Sequence, residues 1–515
     1  MKVLVLNSGS SSIKFQLIRM EDESLLAKGI VEKIGSSDAI ITYQPAGKNK
    51  IREIREVKNH EVAIEIVLSL LLHPQHGVIR DKTEIDGIGH RVVHGGEDFS
   101  GSVLITEKVK ASLRKFIQFA PLHNPANLKG IEACEALLPG APQIGVFDTA
   151  FHQTLPPKAY IYGLPYALYK KLRIRRYGFH GTSHNFVAQR AAEFLKRPIA
   201  ELKIITCHLG NGASITAVDG GKSVDTTMGF TPLEGLVMGT RCGSIDPALV
   251  PYIMEREKLG TKEIDSIMNK NSGMLGLTET SNDMREIEQE AARGSERHRL
   301  ALEIYCYHVR KYIGAYMAVL GGVDAVVFTG GIGENSRLVR RLVCEGLDAL
   351  GIAVDPAKNE KNERDIGTGR VKILVIPTNE ELAIARDTRA ILEAGAGRTA
   401  SAPPEPPEKA AGFKPDETAK LVLLWARDPK AGAAALAAKL GPALGRTVAA
   451  DAVRAELERL ALAASPATPK TAASAVPVAT VSVRAGTPVS ASLAAPATPV
   501  SARAAARAGK PSKAK

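Results

Sequence analysis

Apolar residues open the chain in a tight run, Val3-Leu4-Val5-Leu6, and give way to a polar turn, Asn7-Ser8-Gly9-Ser10-Ser11-Ser12. Apolar and polar positions then alternate over 13–18. The same figure recurs about two hundred residues on: an apolar run at 203–207 meets His208-Leu209-Gly210-Asn211-Gly212-Ala213-Ser214, followed by Ile215-Thr216-Ala217-Val218. Each copy predicts a strand, a turn of small residues and a returning strand. Such turns leave backbone N–H groups uncovered and let a phosphate come close. Two copies predict a duplicated architecture whose halves grip phosphates from opposite sides. Further strands are expected at 85–92, 143–147, 325–328 and 371–376. Helices are expected at 61–72, 127–138, 184–195, 247–257, 299–320, 335–349 and 381–393, with Asn124-Pro125 as a start signal and Gly395 with Gly397 as a stop. This alternation predicts an α/β protein with helix-covered sheets.

At 515 residues the chain is too long for a single core. Its 44% hydrophobic and 24% charged residues are ordinary for a globular protein. Cys134, Cys207, Cys242, Cys306 and Cys344 are odd in number and scattered, which argues against a disulfide framework or zinc site and for a reducing compartment. The first apolar run is too short for a secretion signal, and the stretch 312–328 is broken by Gly321, Gly322 and Asp324. A cytoplasmic protein with no membrane span is expected. The net charge of +12 is local: residues 394–515 hold 17 basic and 8 acidic side chains, leaving the body near neutral. Past Gly397 comes a Pro-rich linker, then a helical pattern over 416–462 that carries Trp425. An Ala/Pro/Ser/Thr-rich stretch follows and is expected to be disordered.

Three glycine-bearing loops follow strands: the opening turn, 208–214, and Thr329-Gly330-Gly331-Ile332-Gly333-Glu334-Asn335, the last placed ahead of a helix start where an anion meets free N–H donors. None is a G-x-x-x-x-G-K-[ST] loop. Alongside them stand Gly89-His90-Arg91-Val92-Val93-His94-Gly95-Gly96, Phe147-Asp148-Thr149-Ala150-Phe151-His152 and Tyr177-Gly178-Phe179-His180-Gly181-Thr182-Ser183-His184. Gly239-Thr240-Arg241-Cys242-Gly243 and Pro377-Thr378-Asn379-Glu380-Glu381-Leu382 complete the set. In this order, from residue 1 to about 393, the motifs resemble the acetate kinase family. That family is similar to sugar kinases, actin and heat-shock ATPases.

The resemblance implies two duplicated ribonuclease-H-like (actin-like ATPase) domains with the active site in the cleft between them. The first would span 1–150 with about 386–395, the second 151–385, and 396–515 would be an added extension. It implies reversible transfer of the ATP γ-phosphoryl group to acetate, giving ADP and acetyl phosphate by direct in-line displacement. Two anions must meet in such a reaction, so cations must lie around them. Arg91 and Arg241 are implied to bind acetate and the phosphoryl group, with Arg241 also stabilising the transition state. His180 is implied to donate to the transferring group, and Asp148 to act as base, orienter or charge balance. A small acyl pocket is implied at Val93, Leu122, Phe179 and Pro232. The nucleotide is assigned to Lys14, His208, Leu209, Gly210, Asn211 and Gly212, and to Asp283, Met284, Arg285, Gly331, Ile332, Gly333, Glu334 and Asn335. Asn7 and Glu380 are implied to hold magnesium, with manganese able to take its place. The other histidines, including His123, receive no catalytic role. A homodimer is implied as well. Acetate is ionised at neutral pH and needs no general base. Competing readings are a propionate or butyrate kinase of the same mechanism, an actin- or chaperone-like ATPase, a phospho-enzyme route through Glu380, and a tail that contacts nucleic acid.

Overall fold

Both copies of the repeated pattern fold as antiparallel hairpins. The computed structural model describes residues 1–118, 120, 123–396, 420–421, 424, 433–444 and 453. They fall into two compact units, 1–401 and 402–515.

In the first unit β1 (Lys2–Ser8) pairs with β2 (Ser12–Arg19), ending with Ser8 opposite Ile13. The sheet grows outward through β3 (Ser24–Glu32), β4 (Ser36–Pro45) and β5 (Ile51–Val57). On the other side of β1 lie β6 (Gly87–Val92), β7 (Val103–Leu104) and β8 (Gln143–Phe147), and the eight strands run in the order β5-β4-β3-β2-β1-β6-β8-β7. β1, β6 and β8 are parallel neighbours, and every residue of β8 is buried, as expected of a central strand covered on both faces. The strands β3 to β5 lack the longer apolar run that marks β1, since none holds more than three apolar residues in a row. β5 exposes Arg52, Glu53, Arg55 and Glu56 at the sheet edge, where charge discourages pairing with another chain.

Helices cover both faces. His60–Leu71, capped by the Asn59 side chain on the Val62 N–H, and Asn124–Leu137, with Pro125 in its first turn, bury one side. Glu380–Ala396 covers the other, and glycines in β6 let it approach. A Cβ on Gly89 would stand 2.6 Å from Ile384 and Thr388, and one on Gly87 would stand 2.5 Å from Leu392.

The second sheet has five strands: β9 (Lys203–Leu209), β10 (Ala213–Asp219), β11 (Lys222–Thr226), β12 (Ala325–Thr329) and β13 (Lys372–Val375). Their order is β11-β10-β9-β12-β13. β9 and β10 form the second hairpin, while β9, β12 and β13 run parallel. This repeats the order β3-β2-β1-β6-β8 of the first sheet, so the hairpin-then-parallel plan is duplicated, as in the ribonuclease-H-like fold of actin-like ATPases. Helix Gly181–Leu195 packs on one face through Val187, Ala188 and Ala191. The long helix Glu296–Leu320 packs on the other through Tyr305, Val309 and Ile313 and ends at Gly321, whose φ of 66° suits glycine.

One expected helix is corrected. The stretch 335–349 is broken: Gly330–Asn335 is itself helical, Ser336 caps a new helix at Arg337–Cys344, and a 3₁₀ turn follows at Asp348–Leu350. The serine hydroxyl satisfies the Val339 N–H and restarts the chain. In the second unit, helix Ala433–Leu444 falls inside the expected helical stretch, with Leu421, Leu436, Leu440 and Val453 buried together. Trp425 and residues after 453 lie outside the described residues. Among the described residues no helix is long and apolar enough to cross a membrane.

Candidate active site

The charged groups sit at the carboxyl ends of the parallel strands, where open α/β sheets place their ligands. Arg91 is next to last in β6 and Asp148 follows β8 directly. Arg91 donates from Nε to Asp148 Oδ1 at 3.0 Å and from Nη2 to Oδ2, a two-point fork on a carboxylate that is 1% exposed. The same Nε lies 3.6 Å from Glu380 Oε2, at the start of the helix that β6 receives. Burial disfavours the Arg91 charge, but Asp148 and Glu380 outweigh it and hold the guanidinium firmly protonated. Burial pushes the Asp148 carboxyl above the ordinary carboxylate range, with Arg91 opposing and Glu380 adding to the rise. Both Asp148 oxygens accept from the fork, through Nε and Nη2 of Arg91.

Arg241 is the opposite case. It donates from Nη1 to the Pro232 carbonyl at 3.2 Å and to Met238 Sδ at 3.7 Å, and no carboxylate pairs with it among the described residues. Burial lowers its pKa from the ordinary arginine value. A half-buried guanidinium without a counter-ion is a place made for an anion.

The second turn brings these groups together. A Cβ on Gly212 would lie 3.4 Å from Arg241 Nη1 and 3.5 Å from His180 Nε2, ordinary contact distances that show the turn lying against both groups. His180 is held in the left-handed region, at φ 57° and ψ 22°, just before helix Gly181–Leu195. For a residue with a side chain that costs on the order of 1–3 kcal/mol. Its ring stacks on His208 with centroids 4.2 Å apart. Each Nδ1 meets a serine: His180 with Ser214 Oγ at 2.9 Å, and His208 with Ser183 Oγ at 2.8 Å. Ser183 in turn meets Thr378 Oγ1 at 2.8 Å, tying the second loop to the Glu380 segment. Burial, then the neighbouring His208, His184, Arg91 and Arg241, push His180 well below the ordinary histidine value. Burial and Arg91 bring His208 down to about 4. Both rings are neutral at pH 7.

His123 is a residue that the sequence reading passed over. It stands immediately before helix Asn124–Leu137, and its pKa is lowered by burial and by both Arg91 and Arg241. That shared influence places it in the same cluster.

Val93 and Phe179 are buried in one cluster and Pro232 stands on the Arg241 side, while Leu122 lies outside the described residues. Lys14 lies opposite Asn7 across the first hairpin with an exposed side chain. His60 Nε2 and the Gly9 carbonyl, 2.7 Å apart, brace that turn. Asn282 donates to Asn211 Oδ1 at 2.9 Å, and Ser336 bonds to Glu288, joining the 210–212 turn, helix Met284–Ala292 and the 330–335 loop. A Cβ on Gly330 would stand 2.7 Å from the Leu209 carbonyl oxygen. Some assigned side chains point elsewhere. Leu209 and Met284 belong to the core, Arg285 folds onto Asp283, and Glu334 turns inward to accept from Gly330 N at 2.9 Å and Thr378 N at 3.1 Å. These segments frame a ligand with backbone more than with side chains.

No group of three or more His, Cys, Asp or Glu residues suited to a metal occurs among the described residues. Glu380, 3.6 Å from Arg91 Nε, offers a carboxylate, and Asn7 offers an amide oxygen. That sparse, all-oxygen set fits magnesium, which keeps most of its water and takes few protein ligands.

Comparison with known proteins agrees with this arrangement. Residues 2–386 match the model of the acetokinase family. An acetate kinase of Caldicellulosiruptor saccharolyticus is 56% identical over 399 residues, covering 76% of this chain and 100% of its own. Two solved structures superpose over 76% of the chain and 99% of their own. They are Porphyromonas gingivalis acetate kinase (47% identity, TM-score 0.74) and a propionate kinase from Francisella tularensis (44%, 0.72). The fold and the cation-lined cluster define a phosphoryl-transferring member of the actin-like ATPase class. The chain belongs to the acetokinase family.

Proposed function

We propose that the protein transfers the γ-phosphoryl group of ATP reversibly to acetate, forming acetyl phosphate and ADP. The observation that carries this reading is Arg241, a half-buried cation with no carboxylate partner among the described residues, sharing a small space with His180 and Gly212. An ATPase that hydrolyses with water has no need of a second guanidinium dedicated to an anionic acceptor. A carboxylate acceptor does.

In this reading Asp148 orients and charge-balances Arg91, which serves the acceptor together with Arg241. The two cations reduce repulsion between acetate and the incoming phosphoryl group as they are brought in line. Neutral His180 donates from Nε2 to an equatorial oxygen, and His208 and the backbone of 210–212 receive the nucleotide phosphates with Lys14. Segments 283–285 and 331–335 frame the adenosine. Asn7 and Glu380 would hold magnesium, or manganese in its place, which when bound neutralises phosphate charge. Val93, Phe179 and Pro232 enclose the acyl methyl group. One methylene is worth about 1–3 kcal/mol of discrimination, so propionate is turned over less well rather than refused. The boundaries near 150 and 385 separate the two half-molecules. Exposed Leu249, Tyr252, Leu300 and Tyr307 support pairing of two copies, and a cytoplasmic setting suits the five free cysteines.

The test is ATP turnover with a panel of carboxylates and hydroxylamine to trap the acyl phosphate. Acetate gives the most hydroxamate, propionate less, and no turnover occurs without a carboxylate. Turnover that ignores added carboxylate would instead favour an actin- or chaperone-like ATPase.

A further inference from the structure

Arg241 and the acyl wall are held by a loop, 229–236, and that loop is held by three side chains the reaction does not use. Pro232, at its centre, forms part of the wall and accepts from Arg241 through its carbonyl. Tyr162 reaches the loop from a separate segment: its hydroxyl accepts from Phe230 N at 2.9 Å and donates to Glu234 Oε2. Glu234 Oε1 accepts from Arg176 Nη2 at 2.6 Å. Arg176 Nη1 lies among three carbonyls, those of Thr226 (2.9 Å), Thr227 (3.0 Å) and Met228 (3.2 Å), which lead into the loop. The opposite wall is tied to the same point, since Tyr177 N and Gly178 N donate to the Gly229 carbonyl at 3.1 and 3.2 Å, immediately before Phe179. There is no slack at this junction. A Cβ on Gly229 would stand 1.8 Å from Glu234 Oε2 and 2.2 Å from the Tyr162 hydroxyl.

We propose that Tyr162, Glu234 and Arg176 are positioning residues that set the width of the acyl pocket and the seat of Arg241. The physical route is short. Arg176 fixes the strand exit at 226–228, Glu234 and Tyr162 fix the far limb of the loop, and Pro232 between them has one place to stand. Pro232 is both an apolar wall and the hydrogen-bond acceptor that orients Arg241. Loosening the clamp therefore widens the pocket and blurs the guanidinium at once. Phosphoryl transfer is sensitive to such displacement. The nucleotide side, which depends on the 210–212 and 331–335 backbone, is untouched.

This inference rests on the acetate reading above, and the experiment separates the two. Tyr162→Phe removes one hydroxyl and both its bonds while keeping the ring. Glu234→Gln keeps the shape and weakens the tie to Arg176. Tyr43→Phe, which loses the bond from a buried tyrosine to the His76 carbonyl in the other sheet, serves as a control for general destabilisation. The quantities measured are KM for acetate, propionate and ATP, kcat, and the ratio of kcat/KM for propionate over acetate. In Tyr162→Phe and Glu234→Gln the ratio rises roughly threefold or more and KM for acetate rises, while KM for ATP holds. Tyr43→Phe leaves the ratio where it was. If wild type forms no acyl phosphate from any carboxylate, the acetate reading fails. If wild type does, and both clamp variants fold and keep the wild-type ratio, the clamp is refuted. A loss of stability with unchanged selectivity also refutes it.

Discussion

Arg91 and Arg241 are the same residue type in opposite electrostatic states. One is locked in a fork by Asp148, the other sits half-buried beside carbonyl and sulfur. The pair divides the work: a guanidinium with a fixed counter-charge holds geometry, and one without it supplies net attraction. Asp148→Asn tests the first role. The amide cannot satisfy two guanidinium donors, so Arg91 loses its orientation and its charge balance. Truncating one partner of a buried charge pair commonly costs 2–5 kcal/mol. We expect kcat/KM for acetate to fall about a hundredfold with little change in KM for ATP, measured by steady-state kinetics. A variant as active as wild type would show that the fork is ornamental. At this scale the sequence was informative where a residue's neighbours were distinctive. Arg91, His180 and Arg241 stand in short glycine-bearing motifs, and Asp148 in the run Phe147-Asp148-Thr149-Ala150-Phe151-His152. His123 does not: nothing next to it announces that the fold will carry it into reach of both guanidinium groups. Glu334, placed by the resemblance among the nucleotide residues, has its carboxylate on Gly330 N and Thr378 N, partners that the sequence does not reveal.

Elements carry these residues to one place because certain strands lack side chains. Gly87 and Gly89 flatten one face of β6, so helix Glu380–Ala396 lies directly on the strand that bears Arg91. Glu380, at the first turn of that helix, thereby comes within 3.6 Å of Arg91. Gly89→Ala would drive a methyl into Ile384 and Thr388 and push the helix outward. Overpacking of this kind costs about 1–3 kcal/mol. We expect a lower melting temperature by calorimetry and a higher magnesium concentration for half-maximal activity, because Glu380 moves with the helix. Unchanged magnesium dependence would dissociate Glu380 from the metal. Apolar runs made the buried parallel strands legible in sequence. The strands β3 to β5 were not, because polar residues and glycine cut their apolar runs to three residues or fewer. The break at Ser336 was hidden too, as one serine inside a continuous helical periodicity does not reveal that its hydroxyl has taken over the Val339 N–H.

Across the whole molecule, several histidines are buried neutral. Burial brings His90, His152 and His208 down to about 4 from the usual 6.5. His152 shows how this is tolerated: its Nε2 donates to the Phe179 carbonyl at 3.0 Å, so its Nδ1 accepts from Ser223 Oγ at 2.8 Å. A depressed histidine pKa means that the unfolded chain binds more protons below about pH 6.5. The stability these residues contribute is complete above about pH 6.5 and is lost as the pH falls toward about 4, with a slope of up to about 1.4 kcal/mol per pH unit for each. Melting temperatures recorded from about pH 7.5 down to about pH 5 should therefore drop steeply below about pH 6.5. A flat profile would contradict neutral burial. The duplicated plan was readable from two turns alone, because a hairpin of small residues between apolar strands is a local signal. The equivalence of the two strand orders is a long-range property and needed the sheets themselves.

The lone guanidinium of Arg241 has a consequence for the resting protein. Between turnovers that cation does not wait in vacuum; it recruits chloride, nitrate, formate or whatever small anion the medium offers, and the acceptor must evict that lodger to enter. Two buffers of equal ionic strength but different salt are then different media for this protein, because the identity of the dissolved anion, and not screening alone, sets how readily the pocket opens to its substrate.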